Sequence, residues 1–334
     1  MRNLRFSTKT LLLLIAVIAI LLAPIAYLQR QVIEHERIRE ELDRGYGSIS
    51  ICVLRPKFMQ LSSFHFGDCF RDLEVTLNTS YSQEGKDYPG PREFELFGRL
   101  PGRKEIHMNT VPGDYATVVE SLSAVPKLRG LDLDRFDFAD NAIRWNRGFN
   151  DLEELSLSDL RDNVRWNLAG MNLWPKLEKL FLDGNGVTDE TIDSLRLLQV
   201  KELELRQCKV TARGLVECCK MPNLETLRVD SLEIIGPLPS LQGADSKLKT
   251  LDLHGSIEMG NDVSTLLVQL PRLERLGLIC TGINDEIIPT LLSLKRLHTL
   301  QVWKTDFSPA GYEQLRARFT MASEHLPMKS VPWP

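Results

Sequence analysis

Six histidines and six cysteines carry most of the reactive chemistry available to this 334-residue chain, and their spacing assembles none of it. A zinc hydrolase sets two imidazoles four residues apart on one helical face with a carboxylate between them. The histidines at 35, 65, 107, 254, 298 and 325 contain no such pair. The cysteines at 52, 69, 208, 218, 219 and 280 contain no C-x-x-C, the spacing that brings two thiolates onto one metal or makes a redox dithiol. Cys52 and Cys69 can pair if the region ahead of residue 103 lies in an oxidising compartment; buried, reduced thiols are the expectation elsewhere. No G-x-S-x-G elbow, phosphate loop or G-x-G-x-x-G after a strand occurs. The sequence therefore predicts no enzyme: no catalytic, cofactor-binding or metal-ligating residue, and no cofactor. A formal net charge of −4 also lacks the basic field that phosphate neutralisation requires, which sets nucleic acid aside as a partner.

Recognition is the chemistry that remains, and it depends on the elements that hold the recognising side chains. A basic tail over residues 1–10 precedes an uncharged 18-residue run, Leu11–Leu28. At about 1.5 Å per residue the run reaches roughly 27 Å, close to the hydrocarbon thickness of a bilayer. Pro24 is tolerated near the end of such a helix, and Tyr27 suits the interface. The rival reading, a cleaved signal peptide, needs small residues at alternate positions, and Ala23-Pro24-Ile25-Ala26 fits poorly. The segment is expected to be an uncleaved single-pass membrane anchor, with the N-terminus inside and the large domain outside the cytoplasm. Residues 29–44 are charged and free of proline, with Arg30/Glu34 and Arg37/Glu41 four apart after Arg30; they predict a helical stalk.

A fixed period then organises the chain. L-x-x-L-x-L recurs from Leu128, Leu152, Leu177, Val200, Leu224, Leu248, Leu273 and Leu297, in steps of 24, 25, 23, 24, 24, 25 and 24 residues. An earlier copy begins at Arg103, with Ile106 and Met108 in the apolar slots. A first copy is read at Phe70, Leu73 and Val75, followed by an insertion near 80–90. The L-x-L alternation predicts a short strand with one apolar side. Helix signals follow it: Thr188 before Asp189-Glu190, Thr211 before Leu215, Asn284 before Asp285-Glu286, and Ser308 before Leu315. One such unit cannot bury its apolar face alone, so stability must come from stacking. Residues 45–102 are read as an N-terminal cap holding the first repeat, 103–320 as the repeat domain and 321–334 as a tail; 138–149 fits the helix template badly.

The repeats resemble the leucine-rich-repeat superfamily, in particular its 24-residue and cysteine-containing types. Asn185 and Cys208 stand in the Asn/Cys slot of that pattern, and Val187-Thr188-Asp189 in the turn into the helix. The resemblance covers roughly Phe70 to Phe319 and implies an α/β solenoid, a parallel sheet on the concave side and helices on the convex side, preceded here by one transmembrane helix. The slot departs from the pattern at Phe136, Leu160, Leu232 and Ser256. A basic start, an apolar anchor, a charged stalk and Gly67-Asp68-Cys69-Phe70-Arg71-Asp72 also resemble a group of bacterial membrane-anchored repeat proteins, which implies an envelope location and no activity.

In such a solenoid, positions three, five and seven of each unit face away from the core. Acids dominate these columns: Asp132, Asp134, Glu154, Asp183, Glu202, Glu204, Asp230 and Asp252, against Lys179, Arg206, Arg228 and Arg275. Phe181, Ile279 and Trp303 fall in the same columns, where an apolar group has no core role. The candidate partner-binding residues are Phe181, Arg206, Arg228, Asp230, Asp252, His254, Ile279 and Trp303. A protein or glycan ligand on this concave face is the expected partner, with the membrane engaged through Leu11–Leu28. The alternatives are a structural envelope protein and an enzyme with its site in 45–102.

Overall fold

A computed structural model of the protein describes residues 30, 33–38, 40–42, 49–53, 74–79, 91–100, 103–109, 115–134, 148–160, 174–230, 238–241, 245–255, 257–279 and 281–321. Among the described residues twelve strands form one sheet in strict chain order: β1 (Ile49–Val53), β2 (Glu74–Thr79), β3 (Arg103–Asn109), β4 (Leu128–Asp134), β5 (Glu154–Ser158), β6 (Lys179–Asp183), β7 (Glu202–Arg206), β8 (Thr226–Asp230), β9 (Thr250–His254), β10 (Arg275–Ile279), β11 (Thr299–Trp303) and β12 (Thr320–Met321). From β2 to β12 every pairing is parallel. Parallel neighbours need a crossover, and the second half of each unit supplies it.

The register follows the leucine pattern. Leu155, Leu180, Leu203, Leu227, Leu251, Leu276 and Leu300 lie side by side across seven strands, all buried. Full burial of each leucine contributes about 1.5–3 kcal/mol. Between these rows Glu202, Glu204, Arg206, Arg228 and Asp230 are only half-buried, as strand alternation requires. Position eight then turns the chain out of the strand with a left-handed residue: Asp159, Gly184, Gln207, Gly255 and Lys304 have φ of 58°, 132°, 49°, 78° and 51°. Position two carries a ladder of opposite charges along one rim, Arg129–Glu153 at 2.7 Å, Lys201–Glu178 at 2.6 Å and Lys249–Glu225 at 2.8 Å.

Short helices return the chain to the next strand: α1 (33–38 and 40–42), α2 (Pro91–Gly98), α3 (Tyr115–Ser123), α4 (Asp189–Leu195), α5 (Ala212–Cys219), α6 (Val263–Leu267), α7 (Ile288–Ser293) and α8 (Pro309–Arg318). Four begin where the sequence places a capping residue: Thr188, Thr211 and Ser308 precede α4, α5 and α8, and Asn284 opens a 3₁₀ turn that leads into α7. Two junctions share a clip between units. Asp189 accepts the Thr211 amide at 2.8 Å and hydroxyl at 2.6 Å, and Asp285 accepts the Ser308 amide at 2.9 Å and its hydroxyl. The residue three places after each cap is glycine, Gly214 and Gly311. A Cβ there would meet the same aspartates at 2.3 and 2.2 Å, so the clip requires the missing side chain.

The N-terminal end departs from the periodic reading. β2 sets Leu77 beside Ile106 and Leu131, so the first repeat is centred on Leu77, four residues later than Leu73. In β3 a bulge between Lys104 and Glu105 puts Lys104, not Arg103, beside Leu128 in the inward slot. Lys104 is buried; its ammonium donates to the Pro126 carbonyl at 3.0 Å, and burial, reinforced by Lys127, pulls its pKa down to about 8. β1 closes the edge antiparallel to β2, an element absent from the sequence reading. The charged helix of 29–44 is not a free stalk in its described part. Ile38 and Leu42 of α1 are buried in the core, and Glu34 and Glu41 pair with Arg99 and Arg92, Arg92 lying in α2 and Arg99 just after it. The expected span, Leu11–Leu28, Phe70 and Leu73, the segment 138–147, and Cys69 lie outside the described residues. Among the described residues no helix is long and apolar enough to cross a membrane.

Candidate interaction face

Columns three, five and seven run across the sheet at right angles to the strands, about 4.8 Å per step. Their centre is a shared network on β6 to β9. The Arg206 guanidinium lies over the Phe181 ring, 5.0 Å from its centroid, and bonds Glu204 at 2.7 Å. Arg228 stands among three carboxylates, 3.5 Å from Asp252, 3.9 Å from Glu204 and 4.0 Å from Glu202. Five acids, Asp183, Glu202, Glu204, Asp230 and Asp252, therefore face two guanidiniums. Lys179 at the margin is turned toward Glu154 on β5.

Burial raises the pKa of Asp183, and Asp134, Asp230 and Asp159 add to the rise against the pull of Arg206. Burial raises Asp252 as well, against Arg228, His254 and Arg275. Its carboxylate occupies the space above Gly277 on β10, where a Cβ would lie 2.5 Å from Oδ1. Burial lowers His254, opposed by Asp230 and Asp252, so the imidazole is neutral at pH 7.

The candidate residues fall into two groups. Phe181, Arg206, Arg228 and Asp252 join one contact network, with Asp230 and His254 adjacent to it in register. Trp303 stands apart on β11, 45 % exposed, with the Lys304 ammonium 4.4 Å from its ring centroid. Ile279 is a correction: it is 7 % exposed, between His254 and Trp303 in register, and offers a floor rather than an exposed anchor. Sequence reasoning missed Lys304 and Gly277. The gap at position five of that unit was the available signal for Gly277; Lys304 reaches the face only through the left-handed turn at position eight.

The Asn/Cys slot is also mixed. Cys208 is buried, and its thiol donates to the carbonyls of Arg206 at 3.0 Å and Leu182 at 3.6 Å, with burial pushing its pKa up to about 12. Asn185 is exposed instead. The amides of Gly184 and Gly186 reach the Arg206 and Leu160 carbonyls there, at 3.0 and 2.7 Å, so main-chain groups tie the neighbouring units together without the Asn side chain. Cys218 and Cys219 are buried, unpaired thiols with raised pKa values, unsuited to nucleophilic work.

The twelve-stranded sheet in chain order, with one leucine ladder per unit of about 24 residues, decides the architecture. The fold is a leucine-rich-repeat solenoid. Among solved structures the chain is similar to a leucine-rich-repeat protein of Leptospira interrogans, at 18 % identity and a TM-score of 0.42 over 70 % of this chain and 57 % of that one. It is also similar to an internalin from Listeria monocytogenes, at 13 % identity and a TM-score of 0.39 over 75 % of this chain and 86 % of that one. The match thus spans little more than half of the Leptospira protein. No protein-family model and no curated protein matches the sequence.

Proposed function

We propose that this protein is a membrane-anchored, non-catalytic interaction module. It holds a protein partner on the open face of its solenoid sheet, with Leu11–Leu28 as a single-pass anchor and the repeats outside the cytoplasm. The observation that carries the reading is the pairing of an acidic centre with an exposed tryptophan on one face of a rigid sheet. Tryptophan is the residue type most enriched among interface anchors, and this one is 45 % exposed two strands from the acidic centre. Eight regular units give a sheet roughly 35–40 Å across, wide enough for a folded partner. The protein reading is favoured over a glycan by the net negative charge of the centre, which suits lysine and arginine side chains.

Site-specific photo-cross-linking in intact membranes tests the proposal. A photoreactive residue in place of Trp303 or His254 is expected to capture a partner, while one in place of Leu197 on the helical side captures none. Capture from position 197 alone moves the interface to the helices. Retention of the chain in membranes after carbonate washing, with Met1 or Arg2 at its N-terminus, is expected for the anchor; a soluble form starting near Tyr27 contradicts it.

A further inference from the structure

The open face is not uniform, and its asymmetry specifies the form of the partner. Asp230, His254, Ile279 and Trp303 follow one another in register on β8 to β11. Two to three strand steps, about 10–14 Å, separate the acidic centre at Asp252 and Asp230 from Trp303. Between them column seven is low and apolar on β10, where it presents the nearly covered Ile279. In column five the Asp252 carboxylate reaches over the bare Gly277, which extends the acidic centre toward β10.

The width of that path also matters. Arg275 stands exposed in column three of the same strand. A bound helix is about 10–12 Å across and would press a cationic partner against that guanidinium. An extended chain kept over columns five and seven avoids it. Extended backbone advances about 3.3 Å per residue and alternates its side chains, so the spacing within 10–14 Å that keeps two side chains on one face is four residues, about 13 Å.

We propose that the face binds an extended peptide segment carrying a basic side chain and, four residues along on the same side of the chain, a bulky apolar one. The base meets the carboxylates around Asp230 and Asp252, and the apolar side chain packs against Trp303 beside the Lys304 ammonium that lies over its ring, a place that disfavours a second base. The segment crosses the strands instead of adding to the sheet edge, because Asp230, Asp252 and Trp303 lie on β8, β9 and β11 and share a face of the sheet, not an edge. This inference rests on the open-face reading of function and adds the class and spacing of the ligand.

The test uses the full chain in detergent and three fluorescent synthetic peptides, each with two lysines and one leucine in a Gly/Ser background. The second lysine and the leucine are four, one or nine residues apart, and affinity is read by fluorescence anisotropy at low salt. The four-residue peptide is expected to bind at least tenfold more tightly than the other two and than its glutamate counterpart. Trp303→Ala should bring all three lysine peptides to one common, weaker affinity, and Asp230→Asn with Asp252→Asn should weaken all of them. Equal affinities for the three spacings, or a best fit at nine residues, overturn the extended-segment proposal. If the aspartate variants still weaken binding in that case, the open-face reading survives it. Binding of a neutral oligosaccharide but of no peptide overturns the proposal in favour of a glycan. Peptide binding unaltered by any of the three substitutions removes the open face as the site altogether.

Discussion

The units from β6 to β11 and the end built from α1, β1, β2 and β3 solve the same problem in opposite ways. Each central unit sees the same neighbour on both sides, so the same leucines, capping residues and turns recur and the period shows in the sequence. The N-terminal end has a neighbour on one side only and must stop the stack. It does so with an antiparallel strand, a docked charged helix and a lysine where the repeat would have leucine. Repetition makes a structure legible; termination is solved once and leaves no period to find.

That contrast can be broken or sharpened by stability measurements on the purified chain. The largest effect is expected in the shared ladder: Leu251→Ala should cost about 2–5 kcal/mol by denaturant unfolding, and Leu77→Ala a similar amount. Replacing Thr250, the outward neighbour of Leu251, with Ala should stay within about half a kcal/mol. If Leu77→Ala is as mild as Thr250→Ala, β2 is not part of the same core.

Next comes Lys104. Its folded-state pKa of about 8 lies below the ordinary 10.5. Below pH 8 the fold carries the cost of a buried charge. Between pH 8 and 10.5 the unfolded chain holds a proton on Lys104 that the folded chain has released, so this residue contributes stability that rises with pH across the window. Above pH 9 the buried thiols of Cys208, Cys218 and Cys219 act in the opposite sense, because the fold keeps protons that the unfolded chain loses. The test is therefore the difference between wild type and Lys104→Met: the variant should melt higher at pH 7, and its advantage should shrink from pH 8 to 10.5. A variant that melts lower at pH 7, or an advantage that does not change with pH, would show that the ammonium is well accommodated.

The clip should matter less. Asp285→Ala strands the Ser308 amide and hydroxyl, for an expected loss of about 1–3 kcal/mol. The loss should shrink in an Asp285→Ala, Ser308→Ala double variant if the two residues act as a pair. The smallest effect belongs to the exposed ion pair between α1 and the end of α2. Arg99→Ala should cost no more than about 1 kcal/mol, because both partners remain largely in water. A larger loss would mean that charge, not Ile38 and Leu42, seats α1.

How much was legible follows the same division. The strands at β4 to β11, their inward leucines and the caps at Thr188, Thr211, Asn284 and Ser308 stand in the sequence because period and capping chemistry are local. Lys104 was not legible, because a bulge moves the register by one residue and no local pattern marks it. Charge pattern suggests a stalk at 29–44, and only the tertiary structure shows Ile38 and Leu42 buried. On the face, Phe181, Arg206, Arg228 and Asp252 were found by column, yet columns give direction and not exposure. Ile279 shares the direction of Trp303 and is covered.

The central claim is that the open face, and not the helical side, carries the interaction. One capture experiment compares the wild type with two variants of the full chain in solubilised membranes. The first combines Trp303→Ala with Asp230→Ala and Asp252→Ala. The second combines Leu197→Glu with Leu292→Glu, at residues 63 % and 41 % exposed on the helical side. The account predicts that the first variant loses the partner and the second retains it, and that wild-type capture weakens as pH falls, because Asp183 and Asp252 take up protons above the ordinary carboxylate value. Retention by the first variant with loss by the second would contradict it.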